Sequence, residues 1–145
     1  FFFFPQIFRL NYGDTATLRL HEVLPPQQEE NAYRLEISEE PPEVSGGGIG
    51  FQMQYITSVF SSNRQARASV TCEFVSATTL RVKNSGNRRA RIVEVYVDEN
   101  NVFDEVQISG RTVLGGGVRQ LVLPTDAQGS DVTVTTREIA DVNCS

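Results

Sequence analysis

The sequence predicts an all-β protein built as a sandwich or barrel, and three observations carry that reading. Its 145 residues include 17 Val, 7 Ile and 11 Thr, so 35 side chains are β-branched, a type that packs well on a pleated strand and loses freedom in a helix. Short stretches of alternating apolar and polar residues are separated by Gly, Pro, Asn and Asp clusters, at intervals of roughly 8–12 residues. No stretch shows a 3.6-residue period. With 39% hydrophobic and 21% charged residues in 16.1 kDa, the composition is globular and suits one ordinary domain or two small ones.

Residues 7–10 are the first strand candidate, and Asn11-Tyr12-Gly13-Asp14 turns after them with a Gly and an Asp where positive φ is expected. Residues 15–20 alternate, with Ala16, Leu18 and Leu20 on one face. The polar stretch 25–31 is a loop. Residues 32–38 alternate again, with Tyr33, Leu35 and Ile37 on one face and Arg34 and Glu36 on the other. Pro41-Pro42 ends the pattern, because proline gives no N–H to a ladder. Gly46-Gly47-Gly48 makes a flexible or sharply bent connection.

Residues 49–60 form the longest candidate. Ile49, Phe51, Met53, Tyr55, Thr57 and Val59 take the odd positions, with Gly50, Gln52 and Gln54 between the first of them. This period of two runs for about twice a typical strand length. The four bulky residues Ile49, Phe51, Met53 and Tyr55 make one apolar stripe of about 20 Å, a candidate binding surface. The polar stretch 61–67 breaks the pattern, so a domain boundary is expected between 1–62 and 66–145. Strands are then expected at 70–75, 79–83, 90–97, 106–108, 112–114, 118–123, 132–137 and 139–144. Turns fall at 84–87, 98–101, 115–117 and 126–130.

Catalytic chemistry finds little material. His21 is the only imidazole, at a strand end beside Glu22, without a nucleophile or orienting partner in any recognisable pattern. Nucleophile-elbow, Walker, dinucleotide-binding and zinc-protease motifs are absent. One His and two Cys are too few for a tetrahedral His/Cys zinc site. Glu29-Glu30, Glu39-Glu40 and Asp98-Glu99 lack the calcium-loop pattern and suit solvated turns. No cofactor and no metal is therefore expected, and no enzymatic activity. A net charge of −5 argues against nucleic acid or an anionic membrane surface as the main partner, and no apolar run is long enough to span a bilayer. Basic charge is 12 Arg against one Lys, which makes forked carboxylate binding available. Cys72 and Cys144 are either one disulfide between first and last strands of the second half or two separately buried thiols. The acidic all-β composition tilts the expectation towards the bond and an extracytoplasmic home. The opening Phe1-Phe2-Phe3-Phe4-Pro5 would be a poor natural terminus, so the sequence is expected to be a piece of a longer chain.

Several segments together resemble a PapD-like periplasmic pilus-assembly chaperone. Pro5-Gln6-Ile7-Phe8-Arg9-Leu10-Asn11-Tyr12-Gly13 and Thr17-Leu18-Arg19-Leu20 are similar to the family's fourth and fifth strands. Residues 30–42 are similar to its sixth strand with a di-proline end, and residues 49–60 to the long last strand of its first domain. Residues 80–86 and the run from Val113-Leu114-Gly115-Gly116 to Leu121-Val122-Leu123-Pro124 resemble its second domain. Tyr33-Arg34-Leu35, and the lack of a Lys near the end of the long strand, look closer to the family's archaic branch.

The resemblance implies two immunoglobulin-like sandwiches, the first lacking its initial strands in this chain. It implies a periplasmic chaperone that donates strand 49–60 to pilus subunits with an incomplete fold and hands them to an outer-membrane usher. Self-association of the free chain is open to the same strand, and membrane insertion is not expected. The family's long-strand Lys would fall nearest Ser58, so its carboxylate anchor does not carry over; Arg34 is the substitute candidate. The competing expectation is a structural or adhesive immunoglobulin-like surface or pilus protein, in which the strand at 49–60 would be ordinary core paired on both sides. A carbohydrate-binding sandwich would want exposed aromatic platforms, and the chain has no Trp.

Overall fold

The computed structural model describes residues 2–23, 28–40 and 49–145. The di-proline at 41–42, the glycine triplet at 46–48 and part of the 25–31 loop lie outside them. The protein is all-β: every regular element among the described residues is a strand, in several antiparallel sheets.

The C-terminal half is a two-sheet sandwich. One sheet holds β5 (Val70–Ser76), β6 (Thr79–Asn84), β11 (Val118–Val122) and β9 (Gln107–Ile108), in the order β5-β6-β11-β9. The other holds β10 (Thr112–Val113), β7 (Ala90–Val97), β12 (Val132–Thr136) and β13 (Val142–Asn143), in the order β10-β7-β12-β13, and β8 (Asn100–Asn101) adds to β7. The alternation expected from sequence decides what is inside. Leu80 and Val82 of β6, Leu121 of β11, Ile92 and Val95 of β7, Val113 of β10 and Val132 and Val134 of β12 are fully buried between the sheets. Burying each such side chain is worth about 1.5–3 kcal/mol. Ile92 and Val95 are three apart, which would put them on opposite faces of a regular strand. The β7–β12 register shifts between Thr135 and Thr136, opposite Glu94 and Ile92, and this bulge at Val93 brings both inward.

Turn chemistry closes the strands. Asp98 and Glu99, both at positive φ, form the two-residue loop between β7 and β8, the conformation that matches strand twist in a tight hairpin. Gly117 donates its N–H to Leu114 O at 2.9 Å, and Gly116 takes φ +70° within that turn. Asn84 is a fully buried polar side chain with every hydrogen bond made. Its Oδ1 accepts from the Ser69 and Gly86 N–H groups (3.0 and 3.1 Å), and its Nδ2 donates to Arg88 O and Val113 O (2.7 and 3.1 Å). Cys72 and Cys144 form a disulfide with a Cα–Cα distance of 4.5 Å, tying the end of the chain to β5. Around it Ser145 O accepts the Phe74 N–H at 3.2 Å.

The N-terminal part departs from the sequence expectation. Its sheets are two separate pairs, β1 (Phe2–Phe4) with β2 (Arg19–His21) and β3 (Asn31–Ser38) with β4 (Gln54–Ser61). Residues 7–10 form no strand, and only the end of 15–20 does. Apolar alternation does not make a strand without a neighbour to bond: Ile7 and Tyr12 lie exposed, and β2 pairs with the phenylalanines at 2–4 instead. The expected turn is present, with Asp14 N–H donating to Asn11 O at 3.0 Å and Gly13 at φ +84°.

Candidate interaction strand

β3 and β4 pair antiparallel over eight residues, from Asn31 opposite Ser61 to Ser38 opposite Gln54. The register puts Tyr33 with Val59, Leu35 with Thr57 and Ile37 with Tyr55 on one face. Arg34 with Ser58, and Glu36 with Ile56, share the other. The far edge of β4 has no partner strand among the described residues.

The expected strand at 49–60 is corrected to Gln54–Ser61, because a ladder needs a partner and β3 ends at Ser38. Beyond it the chain is guided by polar ties. Glu39 N–H donates to Met53 O at 3.0 Å, and Met53 N–H donates to Glu39 Oε2 at 2.9 Å. Gln52 Nε2 donates to Glu39 O at 2.7 Å, and Gln54 Nε2 donates to Glu36 Oε1. The even-numbered glutamines thus bind the run to the end of β3, leaving the odd-numbered side chains in water. Ile49 is 86% exposed, Phe51 86%, Met53 71% and Tyr55 65%. Four neighbouring large apolar side chains in solvent are unusual for a folded chain.

Arg34 is exposed on the face of the hairpin opposite Tyr55, so it does not share a surface with the stripe. It does sit directly opposite Ser58, the position where the resemblance would put a lysine.

Among the acids expected in solvated turns, Glu29, Glu39, Glu40, Asp98 and Glu99 are exposed, and Glu30 departs from the expectation. Glu30 has a side chain only 4% exposed and accepts both the Arg89 N–H (3.1 Å) and Arg89 Nη1 (2.5 Å). Arg89 lies 4.0 Å over the Phe60 ring, and Glu30 N–H donates to Asn87 O at 2.9 Å. Together these groups join the β3–β4 hairpin to the sandwich. Glu22 accepts from Tyr33 Oη at 3.4 Å and from Ser61 Oγ, linking the segment after β2 to the same hairpin. A sequence signal for these pairs was absent, since the partners lie far apart along the chain. His21 stacks on Phe2, with ring centroids 5.2 Å apart. Among the described residues no group of three or more His, Cys, Asp or Glu is placed to hold a metal ion, and no helix is long and apolar enough to cross a membrane.

No family model, curated protein or solved structure matches the chain.

Proposed function

We propose that this chain is a PapD-like chaperone of the periplasm, closest to the archaic branch, in which residues 1–62 belong to one immunoglobulin-like domain and 66–145 form the next. It holds pilus subunits that lack a strand by adding the run 49–60 to their open sheet, then passes them to an outer-membrane usher. One observation carries the reading: Ile49, Phe51, Met53 and Tyr55 all stand in solvent, at and just before the start of a strand whose far edge has no partner among the described residues. A structural surface protein would fill that face with its own core and pair the strand on both sides. Strand addition gives affinity through main-chain hydrogen bonds and specificity through alternate side chains in pockets, which is what this stripe offers. Arg34 would anchor the terminal carboxylate of the incoming subunit across Ser58. The Cys72–Cys144 bond suits an oxidising compartment.

The test is co-purification of a strand-lacking pilus subunit with the chain and with its Phe51→Glu and Met53→Glu variants. Both positions are exposed in the free protein, so melting should change by no more than a few degrees, whereas a carboxylate in the subunit's groove costs several kcal/mol of binding. Loss of co-purification by folded variants is the expected result. Normal co-purification, or unfolding of both variants, would refute the proposal.

A further inference from the structure

The sandwich carries a concentrated basic surface on an otherwise acidic chain. An open cleft of about 290 Å³ is lined by Arg91, Arg111 and Arg137 together with Ile92 and Val93. The three arginines come from three neighbouring segments. Arg137 N–H donates to Arg91 O at 2.8 Å, and Ile92 N–H donates to Arg111 O at 2.8 Å. Adjacent strands lie about 4.8 Å apart, so the guanidinium groups start from backbones spread over about 10 Å.

None of the three forms an ion pair among the described residues; the ion pairs there are Arg81–Glu73 and Arg89–Glu30. Glu138 is the nearby acid, and its Oε2 accepts the Arg91 backbone N–H at 2.7 Å. Arg111 is steadied by the Phe103 ring, 4.3 Å from its guanidinium carbon. Three exposed guanidinium groups side by side repel one another, and an incoming set of carboxylates relieves that repulsion.

We infer that this cleft binds an acidic, extended peptide segment of a partner protein. The spread over three segments favours a ligand with several separated charges over one compact phosphate, which would need donors converging on a point. Carboxylates on one face of an extended peptide repeat every 6.6–6.8 Å or so, within the span of the three side chains. Val93, on the same cleft, gives the peptide's aliphatic stems an apolar neighbour. A net charge of −5 works against a long polyanion such as nucleic acid, whose approach depends on the field of the whole chain.

The experiment is a titration of the full chain, followed by backbone amide shifts, with tetraglutamate, tetralysine, inorganic phosphate and a single-stranded oligonucleotide in turn. Tetraglutamate should shift Arg91, Val93, Thr112 and Arg137 and lose its effect in high salt; tetralysine should not. The double variant Arg91→Gln/Arg137→Gln should bind tetraglutamate about threefold to tenfold more weakly, as expected for two partly exposed ion pairs. Arg81→Gln, on the other sheet, should bind as the parent does. Arg111→Gln lies outside the strands and gives the same answer if the double variant fails to fold. Shifts located elsewhere, or unchanged affinity in a folded variant, would overturn the inference. Phosphate or oligonucleotide binding as tightly as the peptide would overturn the peptide assignment.

Discussion

Glu30→Ala should open the joint between the β3–β4 hairpin and the sandwich without unfolding either. The substitution removes two hydrogen bonds to an ionised group, at 3.1 and 2.5 Å, from a carboxylate that is 4% exposed. Bonds of this kind contribute about 1.5–3 kcal/mol each. Arg89 keeps 27% of its side chain in water and keeps the Phe60 ring beneath it, so the lower end applies to each bond, about 3 kcal/mol for the two. The N–H of residue 30 donates to Asn87 O at 2.9 Å, a bond that the substitution does not delete. Its hydrogen-exchange protection therefore reports the joint itself, and about 3 kcal/mol corresponds to a fall of roughly 150-fold. Glu73→Ala removes a salt bridge of similar length whose side chains are 45% and 56% exposed. It should cost under about 1 kcal/mol. Protection at residue 30 within threefold of the parent, or equal effects from the two substitutions, would refute the reasoning that burial sets the worth of these pairs.

Asn84→Ala should lower the stability of the sandwich by about 2 kcal/mol or more in urea unfolding, since it removes four hydrogen bonds of a fully buried side chain and leaves the buried Val113 carbonyl without this donor; a loss under about 1 kcal/mol would contradict the role given to that side chain. Ser130 Oγ and the Asp131 N–H, in that order, hold the Asp98 carboxyl below its ordinary pKa of 3.8 against a smaller opposing effect of burial. A depressed folded value means a stabilisation present above the ordinary pKa and lost as pH falls through the folded one. Ser130→Ala should thus move the Asp98 titration, followed by carboxyl NMR, up towards 3.8; a shift downwards or none would contradict the assignment.

Period-two alternation with turn residues made the sandwich legible. Residues 90–97 were readable to the residue because Ala90, Ile92 and Val95 meet a core from both sheets, although the bulge at Val93 left no mark in the sequence. The same alternation misled at 7–10 and 49–53, where the described residues offer no ladder partner. The stripe of Ile49, Phe51, Met53 and Tyr55 was visible as a pattern, whereas its exposure is a property of the fold. Glu30, Asn84 and the cleft of Arg91, Arg111 and Arg137 were hidden for a common reason. Their chemistry depends on partners brought close by the sheets: Glu30 meets Arg89 across 59 positions.

The proposed addition of the run 49–60 to another protein's sheet is tested most directly by amide hydrogen exchange along residues 49–61, in the free chain and in complex with a pilus subunit lacking one strand. Free, residues 49–52 should exchange rapidly, since their side chains stand in water and the β3 ladder stops at Gln54. In the complex, strong protection should appear at alternate amides through 49–60, where a new ladder has formed on the open edge of β4. Unchanged exchange along this run, with a subunit demonstrably bound, would contradict the account.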